Sequence, residues 1–248
     1  MSRELLRRIW GHPDCLVLIF IGSSAEFALN PAVDWLFYTG RLPADPLGRF
    51  ASTVAYSHRL VFAPDEAAER GAAAQIKGIH TALEERRGRA MPPIAYRDVL
   101  LMTIEYGLRA YPLVFGRELS AAEQTSLIAT QSAMWADALP IELPGDAAAF
   151  RAMREEQFGR FVRTEWSDRL LAALKKANGA AGYALLETGF ELMVDQRIIN
   201  ALGITRRRLD WPRRVWEFMG RHPGLKRRLL RRALPAETFA ILHKYEKG

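Results

Sequence analysis

The chain has 248 residues, 49% of them hydrophobic, which is enough to bury a sizeable core and reads most simply as one domain spanning 1–248. One cysteine, Cys15, excludes an internal disulfide and any multi-cysteine zinc or iron–sulfur centre, and it fits a reducing, cytoplasmic setting. The formal charge is +7, but eleven Lys/Arg between Arg206 and Arg232 face only Asp210 and Glu217, so the rest of the chain carries −2.

In chain order, Arg3, Arg7 and Arg8 precede a short apolar run from Cys15 to Ile21 that abuts Asp14. This loosely mimics a secretory signal, yet it falls well short of the about 20 apolar residues that span a bilayer. It is predicted instead to belong to a buried helix over 14–29, with Cys15 a small buried hydrophobe. Helical spacing then predicts helices over 31–40, 46–62, 65–87, 94–115, 119–136, 147–161, 166–176, 180–198, 211–220 and 222–232. Pro46, Pro64 and Pro93 stand at helix starts, where a missing N–H has no partner to lose. Ser120-Ala-Ala-Glu123 has the form of a capping box. Residues 138–145 read as a loop and 177–181 as a turn. Alternating apolar–polar runs are nearly absent, so strands are not expected. The predicted fold is all-α: a single-domain bundle of about ten helices around a buried central helix pair, with a basic C-terminal segment over 206–232. In that segment Trp211, Trp216, Phe218 and Met219 interleave with the charge. The pattern suits either solvated helices with inward aromatics or attachment to an anionic membrane surface. No nucleic-acid-binding motif is present, so no nucleic acid partner is expected.

Two places carry candidate chemistry. Around His80, the residues Ala72, Ile76, Ile79 and Leu83 are spaced as an apolar stripe. At 100° per residue, His80 falls about 40° from Ile76, on the margin of that stripe, and Lys77 lies about 60° further round. Such a histidine is either a hydrogen-bonded core residue or a ligand. In the nearly all-apolar helix from Tyr96 to Tyr111, Asp98, Glu105 and Arg109 align on one narrow side, with Arg97 apart. Glu105 and Arg109 form an i,i+4 acid–base pair, either a structural ion pair or an acidic group beside a pocket. His58 is a reserve candidate for an iron ligand. There is no G-x-S-x-G elbow, Walker loop, G-x-G-x-x-G or H-E-x-x-H, and no two histidines share an i,i+4 face.

Four elements recur in a familiar order: D-P-L-G-R (Asp45 to Arg49), K-G-I-H (Lys77 to His80), L-R-A-Y (Leu108 to Tyr111) and F-x-R-E-L-S-A-A-E (Phe115 to Glu123). Together, over roughly residues 14–235, they resemble the MpaB/rubber oxygenase family. The resemblance implies an α-helical protein in which haem b activates dioxygen against a hydrophobic, isoprenoid-like or lipid substrate. It implies that His80 ligates the haem iron, that Arg49 contacts the cofactor, and that Lys77, Glu105 and Arg109 serve catalysis. The departures are specific. Lysine replaces the family's first arginine at position 77, and Asn30-Pro31 and Thr39-Gly40 stand where H-P and H-S elements are frequent. Asp98-Val-Leu-Leu-Met102 stands where the family reads W-V-H-x-T, so Leu100 occupies the proximal histidine's position and cannot coordinate iron. Two readings follow: a haem protein relying on His80, or a haem-free branch that keeps a hydrophobic-ligand pocket.

Overall fold

Backbone punctuation lays out the helices. Proline opens four of them, and glycines in the left-handed region, Gly88 (φ 64) and Gly116 (φ 70), stop two of the longest. The computed structural model describes residues 2–38, 46–139, 141–204 and 211–233, with 236 and 240. Among them are eleven α-helices and no strand: α1 (Ser2–Trp10), α2 (Pro13–Phe27), α3 (Pro46–Val61), α4 (Glu66–Arg87), α5 (Pro93–Phe115), α6 (Ala121–Trp135), α7 (Ala147–Phe158), α8 (Glu165–Met193), α9 (Gln196–Ala201), α10 (Trp211–Arg221) and α11 (Pro223–Ala233). None of the described helices is long and apolar enough to cross a membrane.

The central pair is α2 and α5. Leu16, Leu18, Ile19 and Ala25 of α2 and Met102, Tyr106, Ala110 and Tyr111 of α5 are all buried in the main core. Gly22 permits their close approach, because a Cβ there would stand 2.6 Å from Tyr106 Cγ and nearer still to Cδ1. On the other side of α2 a Cβ at Gly189 of α8 would stand 2.8 Å from Ile21 Cγ2. Small residues at these crossings set how near the helices lie, and dispersion contacts follow.

Three departures from the sequence reading have local causes. The basic prelude is itself a helix, α1: Leu5, Leu6, Ile9 and Trp10 are buried, Arg7 donates to the Val61 and Ala63 carbonyls (3.2 and 2.8 Å), and the Arg8 guanidinium lies 4.4 Å from the Phe115 ring centroid. Only Val33–Leu36 of the helix expected over 31–40 forms within the described residues, as a 3-10 turn. There Pro31 follows Asn30, whose side chain accepts from the Ala32 N–H at 2.8 Å, closing a turn before a helix can start. The two helices expected on either side of 177–181 do meet at a break, the non-helical Gly179 (φ 66, ψ 176) within α8, but the second ends at Met193 and a new start at the Asp195 cap makes α9 separate.

The capping box forms as expected. The Glu123 N–H reaches Ser120 Oγ at 3.3 Å, the Ser120 N–H donates to Glu123 Oε2 at 2.9 Å, and Arg117 pairs with the same carboxylate at 2.7 Å. Those bonds, the Arg117 one foremost, hold the Glu123 carboxyl down at about 2 against an ordinary 4.5. A depressed folded pKa stabilises above the unfolded value and loses its effect as pH falls through the folded one. Glu123→Gln is therefore expected to melt below wild type at pH 7, and that gap should close between pH 4.5 and about 2. Thermal melts across this range check it; an unchanged gap at the acid end contradicts the assignment.

Candidate functional site

An acidic side chain in the most apolar helix has to find buried partners. Glu26, in the last turn of α2, is fully buried. From α5, the Tyr106 hydroxyl donates to Oε2 at 2.6 Å. From α7, Arg154 donates to both oxygens (2.5 and 2.8 Å) and Gln157 Nε2 to Oε1 at 3.0 Å. Asp146 caps α7 by accepting from the Ala148 and Ala149 N–H groups, which sets the helix so that Arg154 and Gln157, three residues apart, share its inward side. Burial, then the Glu26 carboxylate, pushes the Tyr106 phenol well above its usual range. For Arg154 burial alone acts downward, but its bonds to Glu26 outweigh that and the net shift is upward.

The charges continue outward from this centre. Arg154 Nε lies 3.8 Å from Glu105 Oε2, Glu105 Oε1 accepts from Arg109 Nε at 2.5 Å, and Arg109 Nη1 donates to the Met193 carbonyl at 3.1 Å. That last bond reaches the final carbonyl of α8, at a helix C-terminus where a cation is favoured. A second branch leaves from Asp98, which accepts from Arg160 at 2.6 Å and Asn30 at 3.3 Å, while Glu156 accepts from Arg160 (2.8 Å) and Arg97 (2.7 Å). Burial pushes the Asp98 carboxyl up, and Arg160 pulls part of that back.

Glu105 and Arg109 also face a cleft of about 480 Å³ between α5, α6, α7 and α8. Leu108, Leu113, Leu119, Ile128, Phe150 and Leu192 supply its apolar wall; Glu118, Gln124 and Arg151 add polar groups. The structure thus brings together two of the candidate residues. It places the other pair elsewhere. Lys77 is exposed on α4, and His80 is half-buried with its ring edge-on to Tyr96 (5.2 Å, 82°). Tyr96 in turn donates to Glu84 Oε1 at 2.8 Å. Glu105 comes nine residues after Tyr96, about 13 Å along the α5 axis. The inward side of α4 is also narrower than the spacing suggested: Ala73 is buried, but Ile79 is 45% exposed, because α4 lies on the outside of the bundle. Arg49 is in α3, and its side chain lies outside the described residues.

The family model for the catalytic domain of "ER-bound oxygenase mpaB/B'/Rubber oxygenase" matches residues 12–234. The chain belongs to this family. No curated protein and no solved structure matches it.

A haem needs an axial donor from the protein. None of the side chains lining the cleft is His, Cys, Met or Tyr, so a haem seated there would have no customary ligand. Leu100, at the family's histidine position, is buried with Leu101, Ile104, Ile128 and Phe150. Burial raises the Cys15 thiol far above its ordinary range, which disfavours the thiolate a ligand must be. His12 Nδ1 accepts from the Asp14 N–H at 3.2 Å at the start of α2. His58 stacks on Phe62 (4.0 Å, 19°), and burial lowers its pKa. His80 remains as the half-buried imidazole beside the first turns of α5. Position 100 therefore offers a haem no ligand, and His80, the candidate imidazole, does not line the cleft. Among the described residues no cluster of three or more His, Cys, Asp or Glu could hold a bare metal ion.

Helical spacing joins Glu105 to Arg109, but nothing in the sequence connects Glu26, Tyr106, Arg154 and Gln157 as a set. The available signal was Glu26 itself, a lone acid in an apolar helix that demanded a cation from elsewhere in the chain.

Proposed function

We propose that this family member is an oxygenase acting with dioxygen on a hydrophobic small molecule, an isoprenoid or other lipid chain, and that the α5 cleft receives the substrate. The observation that carries this reading is the meeting of a paired carboxylate with an apolar wall: Glu105, held by Arg109 at 2.5 Å, faces the same cleft as Leu108, Ile128 and Phe150. An apolar wall with a few fixed polar groups suits a greasy ligand that must be oriented. Glu105 is the group placed to take up or return a proton, and Arg109, tied to the Met193 carbonyl, positions it. Haem b is the cofactor this reading requires and would supply the iron at which dioxygen is activated; its candidate ligand His80 lies outside the cleft, so a substrate chain seated there would have to extend along α5 to reach it. Lys77, one turn before His80, and Arg49 are its proposed neighbours.

One observation favours a second reading, a haem-free binder of hydrophobic ligands: the histidine position of the family is filled here by Leu100, packed among other apolar side chains. The absorption spectrum separates the two. Purified full-length chain, as isolated or after hemin addition, should show a Soret band, and His80→Ala should abolish or strongly shift it. A colourless protein that cannot be reconstituted ends the oxygenase reading and leaves the binder. A native spectrum in His80→Ala removes His80 as the ligand.

A further inference from the structure

The α10–α11 pair takes no part in the cleft chemistry, yet it holds much of the chain's excess charge. Residues 211–233 carry eight Lys/Arg against one acid, Glu217. A few side chains fasten the pair to the bundle: Trp216 Nε1 donates to the Leu113 carbonyl at 3.2 Å, Met219 is buried, and Lys226 pairs with Asp14 at the start of α2. The other described side chains of the pair are exposed. Arg221, Arg227, Arg228, Arg231 and Arg232 are exposed. Among them Phe218, Leu225 and Leu229 are 50%, 43% and 46% exposed. A single exposed leucine is ordinary, but three large apolar side chains on two short helices are not. Leu225 and Leu229 stand one turn apart on one face of α11, and Arg228 and Arg232 each follow one of them by three residues, so cations flank the apolar stripe.

We infer that α10–α11 is a docking face for an anionic bilayer surface. Phe218, Leu225 and Leu229 enter the boundary between headgroups and acyl chains, while the arginines keep their guanidinium groups among the lipid phosphates and lay their stems along the apolar side chains. Charge selects this occupant. A second copy of the chain would bring a basic face against a basic face, and a nucleic acid would leave the two leucines unburied. Such docking is peripheral and does not depend on whether the cleft holds a substrate.

Full-length chain is incubated with vesicles of phosphatidylcholine alone, or of phosphatidylcholine with phosphatidylserine, at low and high salt. Bound protein is measured by sedimentation. Wild type should bind only the anionic vesicles and be released by salt. Changing Arg227, Arg228, Arg231 and Arg232 together to serine should weaken partitioning on the order of a hundredfold. Phe218→Ser/Leu225→Ser/Leu229→Ser should weaken it about tenfold or more, because buried apolar area is lost. Since all seven positions are exposed, both variants should melt as wild type does. As an independent measurement, the emission of Phe218→Trp should shift to the blue on anionic vesicles. Equal binding to neutral vesicles, salt-indifferent binding, wild-type binding by the apolar variant, or no blue shift would each overturn the proposal. So would a dimer that the apolar variant abolishes, or RNA binding without vesicle binding.

Discussion

Replacing Arg154 with leucine is expected to destabilise the chain by about 3–5 kcal/mol, a large share of what holds an ordinary domain folded. The guanidinium makes two of the four hydrogen bonds received by a carboxylate with no access to water. Without it, Glu26 keeps Tyr106 and Gln157 as donors but has no cation in its first layer of contacts, and Glu105 loses a charge 3.8 Å away. Water cannot compensate at this depth, so the protein must either protonate Glu26 or open. The double change Glu26→Leu/Arg154→Leu removes both charges and should recover much of the loss, as buried pairs exchanged for apolar groups often do. Urea unfolding of the two single variants and the double one gives the coupling between them. Additive losses would mean that the pair is not the unit described here. The same series bears on the cleft, because Arg154 is the link between Glu26 and the Glu105–Arg109 pair.

What the sequence revealed and concealed follows the range of the interactions. The Glu105–Arg109 pair was legible because its partners are four residues apart on one helix, and the crystal-clear grease of α5 around them demanded burial. The capping box at Ser120 was legible for the same local reason. Family membership was legible too, since four short elements kept their order and the family model spans residues 12–234. The Glu26 network was not, because Arg154 lies 128 positions further on and no periodicity connects α2 to α7. Nor could spacing alone place His80: the stripe Ala72–Ile76–Ile79–Leu83 marks an apolar side of α4 but not how much of it the bundle covers. Its exposed Ile79 shows that α4 turns a narrower strip inward than its sequence would allow.

Gly22→Ala should cost about 3 kcal/mol, the upper end of ordinary overpacking. The added methyl would stand 2.5 Å from Tyr106 Cε1 and 2.6 Å from Cγ. A flexible side chain could swing away, but this ring is buried on all sides and its hydroxyl is fixed to Glu26 at 2.6 Å. Relief therefore comes either from separating α2 and α5, which opens the central contact, or from breaking the Tyr106 bond, which leaves Glu26 short of a donor. Gly107, the next residue on α5, provides the comparison: a Cβ there meets only Ile9 Cγ2, at 3.7 Å. Gly107→Ala should thus be neutral or stabilise by up to about 1 kcal/mol through helix propensity. Thermal melts of the two alanine variants read the difference directly. If Gly22→Ala melts with wild type, the α2–α5 approach is looser than the Tyr106 contact requires, and the Glu26 site is not held by that packing.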